Sequence, residues 1–199
     1  MASYLIGIAG PSGSGKSELS RRLAKRLGAP VISMDSYYKE LGHLSLAERA
    51  EVNFDEPASI DDGLLREQLA ELREGRTVEI PHYDFAAHTR SAWTERVEPG
   101  EMVILEGLFT LYWEEMRRLF ETMVYVDLED ETCFARRLAR DVRERGRTAE
   151  SVQWQYETTV RPMAETYILP TKRHAHVVIR GDGQLDESVE LVLAHQGRK

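Results

Sequence analysis

Gly10-Pro11-Ser12-Gly13-Ser14-Gly15-Lys16-Ser17 follows the apolar run Tyr4–Ala9 and precedes an amphipathic stretch marked by Leu19, Leu23 and Leu27. It satisfies G-x-x-x-x-G-K-[ST], and its place between a strand and a helix carries more weight than the string itself. The glycines let backbone N–H groups converge on phosphate oxygens, and the helix beginning near Lys16 aims the positive end of its dipole at the same point. Lys16 is expected to bridge the outer phosphates of a nucleoside triphosphate, and Ser17 to ligate Mg²⁺.

Outward from this loop, short apolar runs alternate with helical patterns. Strands are expected at Tyr4–Ala9, Pro30–Met34, Met102–Leu105, Met123–Asp127 and His176–Ile179. Helical periodicity runs through Leu19, Leu23 and Leu27 to Gly28, through Leu64, Leu65, Leu69 and Leu72 to Gly75, and through Phe134, Leu138 and Val142 to Gly146. A further stretch after Thr148 carries Val152, Tyr156 and Val160. This alternation predicts an α/β fold, a parallel sheet with helices on both faces, in one domain spanning residues 1–199. Residues 77–98 break the pattern and read as a β-hairpin outside the main sheet.

The chain has 199 residues and a formal charge of -8. That balance argues against coating nucleic acid or an anionic membrane, since the long-range field repels both. The charge is uneven, because Arg136 to Arg147 holds six Arg against Asp141 and Glu144, or +4, leaving -12 for the rest. On a helix, Arg136, Arg140, Arg143 and Arg147 fall on one continuous basic stripe. Cys133 is the only cysteine, so no disulfide framework is available and a cytoplasmic setting is expected. No apolar run approaches membrane-spanning length, and no signal-peptide pattern is expected at the start.

Two acidic strand ends choose among phosphate-loop chemistries. Asp35 closes Val31-Ile32-Ser33-Met34 and Glu106 closes Met102-Val103-Ile104-Leu105. In a parallel sheet these ends open on the crevice that holds the loop. One carboxylate can help hold Mg²⁺ while the other accepts the proton of an attacking hydroxyl, which favours a small-molecule kinase. A guanine-nucleotide switch fits poorly: Asn53 is the only Asn and is followed by Phe54-Asp55, so there is no N-K-x-D, and no D-x-x-G occurs.

The phosphate loop, Asp35-Ser36-Tyr37-Tyr38, Asn53-Phe54-Asp55-Glu56-Pro57, Tyr83-Asp84-Phe85 with His88 and Arg90, Glu106-Gly107, Arg140-Asp141 with Glu144-Arg145-Gly146-Arg147, Gln155-Tyr156 and Pro170-Thr171-Lys172 resemble, in order, the motifs of the uridine/cytidine kinase family. The resemblance implies a P-loop kinase fold with a hairpin and a lid. It implies ATP, with GTP left open, and Mg²⁺, and transfer to the 5′-hydroxyl of a pyrimidine ribonucleoside by a homotetramer. Carried over by motif, Asp35 is the base, Ser17, Glu106 and Asp35 serve the metal, and Lys16, Arg140 and Arg145 face the transferring phosphates. Asp55 and Arg137, with Tyr38 and Gln155, hold the ribose hydroxyls. Phe54 and Phe85 sandwich the base, whose polar edge Tyr83, His88 and Arg147 read.

A neutral imidazole at His88 can meet either uracil or cytosine by choosing which nitrogen carries the proton, so both are expected acceptors. Departures from the family pattern are Glu56 before Pro57, the aromatic segment Leu108–Arg117, and Gly181–Leu185. A kinase of another hydroxyl acceptor, such as ribulose 5-phosphate or pantothenate, and a regulatory ATPase stay open as alternatives. The aromatic motif around Tyr83 speaks against the former and the acceptor residues Asp35, Asp55 and Arg137 against the latter.

Overall fold

A computed structural model describes residues 2–196. Five strands, β1 (Tyr4–Ala9), β2 (Val31–Ser33), β5 (Met102–Glu106), β6 (Thr122–Asp127) and β7 (Val177–Arg180), form one parallel sheet in the order β2-β5-β1-β6-β7. The remaining pair, β3 (Val78–Asp84) and β4 (Thr89–Val97), is antiparallel and stands apart as the expected hairpin. Its register shifts between Pro81 and Tyr83, where a proline that cannot donate interrupts the ladder.

Alternation along the strands builds the two cores. Leu5 and Ala9 of β1 point to one face and Ile6 and Ile8 to the other, as a two-residue period requires. The first face packs on α3 (Asp62–Arg73) through Leu65, Leu69 and Leu72. The second packs on α1 (Lys16–Leu27) through Leu19 and Leu23, and on α8 (Leu185–Gln196) through Val189 and Val192. Burying a side chain of the size of Leu19 or Leu23 contributes about 1.5–3 kcal/mol each. Helices therefore cover both faces, giving the three-layer P-loop kinase architecture. The short helices α2 (Leu46–Ala50) and α4 (Glu114–Arg117) lie in connections. The pattern-based reading placed no helix at α8, where Leu191 is exposed among the core-facing valines and blurs the amphipathic signal.

The arginine-rich helix α5 spans Asp130–Arg145 and ends at Gly146, whose left-handed backbone directs its N–H to the Asp141 carbonyl. This shortens the expected stripe. Arg136, Arg140 and Arg143 share the helix, whereas Arg147 lies beyond the cap in the turn leading to α6 (Ala149–Gln155). From α6 the chain continues through a wide π turn at Tyr156–Val160, the short α7 (Arg161–Met163), a second π turn at Ala164–Ile168 and a 3-10 turn at Leu169–His174. Val152, Tyr156 and Val160 bury one face of it as their spacing predicts. Pro162, which lacks the N–H needed for a regular helical bond, accompanies the widened turns. The unusual segment 108–117, packed internally by Phe109 against Trp113, meets this stretch through Tyr112 edge-on to Tyr167.

Candidate active site

Residues 10–17 turn from β1 into α1 with Gly15 at the N-cap and no side-chain cap, and the Glu18 N–H donates to the Gly15 carbonyl at 3.1 Å, which leaves the N–H groups of Lys16 and Ser17 to meet an anion. Gly13 sits at φ +86°, and a Cβ there would stand 2.3 Å from the Cys133 carbonyl oxygen of α5. Glycine is thus demanded twice, by backbone conformation and by the helix behind it. Pro11, Ser12 and Ser14 are buried. The Ser14 hydroxyl has no protein partner, and Lys16 Nζ reaches only weakly to the Pro11 carbonyl at 3.5 Å.

The strand ends expected to carry acids do converge here. Ser33 of β2 and Ile8 of β1 both lie opposite Glu106 of β5. Glu106 is 9% exposed and accepts from Ser17 Oγ at 3.1 Å and Ser33 Oγ at 3.3 Å. Burial pushes its carboxyl up, opposed by the Lys16 charge and reinforced by Asp35. A hydroxyl beside a buried carboxylate at the mouth of a phosphate cradle is the oxygen-rich donor set that suits a hard divalent cation. Asp35 follows in a 3-10 turn over Met34–Tyr37 and is half-buried. Its charge acts on Glu106, on Asp55 and on Tyr38.

Beyond Asp35 lies a polar pocket assembled from four distant segments. Arg137, 6% exposed, donates from Nη1 to Ser12 Oγ and from Nη2 to Gln155 Oε1, each at 3.1 Å, and its Nη1 stands 3.8 Å from Asp55 Oδ1. Burial raises the Asp55 carboxyl, Arg137 lowers it, and Asp35 raises it further. Arg147 also donates to Gln155 and, at 2.9 Å, to Ser151 Oγ. It stands with Gln155 and Ser151, not with Tyr83 and His88 as the motif implied, because Gly146 ends the helix and turns the chain back toward α6.

Asp141 is the site residue that the motif reading left without a role. It is fully buried, accepts from Arg140 Nε at 2.8 Å, and lies 3.5 Å from Arg137 Nε and 3.6 Å from Arg145 Nη1. The i and i+4 spacing of Arg137, Asp141 and Arg145 was the available signal. Holding Arg140 by Nε leaves its terminal nitrogens for another anion.

The aromatic wall comes from the hairpin and from 53–55. Phe54 meets Tyr38 edge-on at 5.2 Å and stacks on His88 at 5.6 Å with an interplanar angle of 20°. Phe85 is 52% exposed and contacts Tyr83 and the Arg145 guanidinium, so the ring facing Phe54 here is His88. The Tyr83 hydroxyl is buried without a protein partner, and burial raises its pKa to about 12. Arg90, quoted in the motif without a role, fixes this wall by donating to the Tyr38 carbonyl at 2.9 Å, the Tyr37 carbonyl at 3.2 Å and Asp61 at 3.2 Å.

Among the described residues no helix is long and apolar enough to cross a membrane. The chain is 43% identical over 192 residues to a uridine kinase of Lactobacillus johnsonii, covering 94% of this chain and 91% of the relative. It is 42% identical over 199 residues to a uridine kinase of Chloroflexus aurantiacus, covering 98% and 95%. Solved structures share the fold: phosphoribulokinase from Rhodobacter spheroides (TM-score 0.63, 13% identity, 90% of this chain and 70% of that one) and D-glycerate 3-kinase from Cryptococcus neoformans (TM-score 0.63, 18% identity, 83% and 79%). The family model described as Phosphoribulokinase / Uridine kinase family matches residues 5–186. A family model that matches nearly the whole length, with relatives above 40% identity over more than nine-tenths of the chain, shows that the chain belongs to the phosphoribulokinase/uridine kinase family and is a phosphotransferase.

Proposed function

We propose that this enzyme transfers the γ-phosphoryl group of ATP to the 5′-hydroxyl of uridine and cytidine, giving UMP and CMP in pyrimidine salvage. One observation carries the reading: the Ser17–Glu106 pair at the phosphate loop and the Asp55–Arg137–Gln155 group both lie within the field of the Asp35 charge, so one carboxylate is available to donor and acceptor alike. The uridine kinases to which the chain is similar over nearly its full length support the same acceptor.

In this reading the loop amides, with Gly10, Pro11, Ser12, Gly13, Ser14 and Gly15 forming the cradle, hold the donor's phosphates. Lys16 bridges the outer ones. Ser17, Glu106 and Asp35 would hold Mg²⁺, which would neutralise phosphate charge when bound. Asp35 accepts the proton of the 5′-hydroxyl as its oxygen attacks phosphorus, and ADP leaves. Arg140 and Arg145 counter the charge that spreads over the phosphoryl oxygens. Asp55 and Arg137 pair with the ribose hydroxyls, so a 2′-deoxy acceptor leaves buried polar groups unpaired and is disfavoured by up to about 10⁴. Tyr38 and Gln155 assist at the ribose, with Arg147 supporting Gln155, while Phe54, Phe85, Tyr83 and His88 hold and read the base. The chain works as one nucleoside kinase domain in the cytoplasm, assembled as a homo-oligomer, with the hairpin at 77–98 and the lid at 136–150 as its insertions.

A coupled assay of ADP release tests this across uridine, cytidine, their 2′-deoxy forms, ribulose 5-phosphate and pantothenate. Turnover is expected with the two ribonucleosides, and Asp35→Asn is expected to lower kcat by about 10²–10⁴ with the KM for ATP little changed. Turnover with neither ribonucleoside, or an Asp35→Asn enzyme as fast as the parent, rejects the assignment.

A further inference from the structure

The turn that presents the base-reading residues is gripped from outside the pocket. Asp84 Oδ1 accepts from the N–H groups of Ala86 at 2.8 Å and Ala87 at 3.1 Å, closing an Asx turn that delivers His88 at φ +48°. That backbone region disfavours a residue with a Cβ, so the conformation needs outside support. Arg49 of α2 provides it. Its Nη1 donates to the Ala87 carbonyl at 3.0 Å, its Nε to the Leu44 carbonyl at 2.9 Å and its Nη2 to the Gly42 carbonyl at 3.3 Å. One guanidinium therefore joins the loop at 42–44 to the turn that carries Phe85 and His88.

Two further features make this a built contact. The helix that presents Arg49 is itself fixed, by a capping box in which Ser45 and Glu48 satisfy each other's N–H groups. The same loop is tied to the hairpin a second time, where the Leu41 N–H donates to Thr89 Oγ1 at 3.2 Å and the Thr89 hydroxyl donates to Glu40 at 3.2 Å. On its inner side the turn holds His88 against Phe54, and the unpartnered Tyr83 hydroxyl lies within the field of the Arg49 charge. A planar guanidinium directs its donors along fixed, spread lines to these three carbonyls, whereas a lysine ammonium gathers its three donors on one compact nitrogen at the end of a flexible stem.

We propose that Arg49 is a positioning residue for acceptor-base recognition, holding the Ala87–His88 turn in register with Phe54. This rests on the nucleoside kinase reading. Asp35, Asp55 and Arg137 hold the reacting end of the acceptor independently of the turn, so Arg49 acts on binding that is equal in the ground and transition states. Its loss raises the KM for nucleoside and spares the turnover number.

The test is steady-state kinetics and melting of Arg49→Ala and Arg49→Lys, each also in a His88→Ala background. Arg49→Ala is expected to raise the KM for uridine and cytidine about tenfold or more. Its kcat at saturation and its KM for ATP stay within about threefold of the parent. Arg49→Lys gives an intermediate rise and keeps the proposal testable should the alanine variant not fold. In the His88→Ala background either substitution adds little, since the two residues act through one turn. A parental nucleoside KM in Arg49→Lys and Arg49→Ala overturns the inference, as do parallel losses of kcat, both KM values and melting temperature, or full additivity with His88→Ala. A parent enzyme inactive on both ribonucleosides rejects the nucleoside kinase reading itself, and the Arg49 role falls with it.

Discussion

At the scale of single residues, the site contains two buried carboxylates that the fold holds at a disadvantage. Glu106 and Asp55 are both pushed above their ordinary values, chiefly by burial, and Asp35 adds to each. A carboxyl whose folded pKa is raised binds its proton more tightly folded than unfolded, so it costs no stability below its unfolded value. The cost grows as the pH rises through the folded value. For Glu106 that window opens near the ordinary 4.5 and extends upward. Glu106→Gln removes the charge and keeps an acceptor for Ser17 or Ser33. The variant is expected to melt above the parent at pH 8 in metal-free buffer, with the gap closing as the pH falls toward 4.5. Its Mg²⁺-dependent turnover is expected to drop by about tenfold to a hundredfold. A melting difference that does not change with pH counts against this account, which treats Glu106 as a functional acid retained against a local cost to stability.

At the scale of elements, α5 shows what periodicity reveals and where it stops. The basic stripe was legible because side chains three and four apart share a helix face. Its end was legible too, since Gly146 adopts the left-handed cap that a helix-terminating glycine favours. The hub at Asp141 was not identified, although its spacing to Arg137 and Arg145 stood in the sequence, because its burial depends on what packs against the helix. Holding Arg140 by Nε orients the guanidinium before phosphate arrives, so the arginine's contribution belongs to the transition state more than to acceptor binding. Arg140→Ala is expected to lower kcat by about 10²-fold or more while the KM for nucleoside changes far less. A pure KM effect refutes the assignment. The hairpin teaches the complementary lesson. Its strands could be placed from mixed polarity and Pro81, yet its attachment through Arg90 and through Gln68, which donates to the Glu79 carbonyl at 2.9 Å, is a matter of tertiary contact.

At the scale of the whole molecule, the phosphate loop is shaped from both sides by segments far away in the chain. The Cys133 carbonyl of α5 presses on Gly13, and Gly181, just past β7, lies so close to Ser14 that a Cβ would stand 2.1 Å from the Ser14 carbonyl oxygen. Arg136 donates to the Gly181 carbonyl at 3.0 Å and closes the ring. Gly181→Ala must therefore displace loop backbone and not merely a flexible side chain. Its KM for ATP is expected to rise by about tenfold or more, since displacements near 1 Å at a reacting group cost up to about 10² in rate. The KM for nucleoside should hold, and an ATP KM unchanged by the substitution counts against this packing role. Sequence alone determined the phosphate loop, the five parallel strands, the caps at Gly28 and Gly146 and the acidic end of β5 at Glu106, because each rests on a contiguous pattern of backbone freedom or side-chain period; Asp35, read as a strand end, lies instead in the 3-10 turn after β2. Only the tertiary structure decided that Ser12 joins Asp55, Arg137 and Gln155, that Asp141 gathers three arginines, that Arg147 turns toward Gln155 and Ser151 and that His88 faces Phe54. Those arrangements join residues up to 143 positions apart, from 12 to 155, and the burial and field that give them their chemistry exist only once the sheet, α5 and the hairpin have packed together.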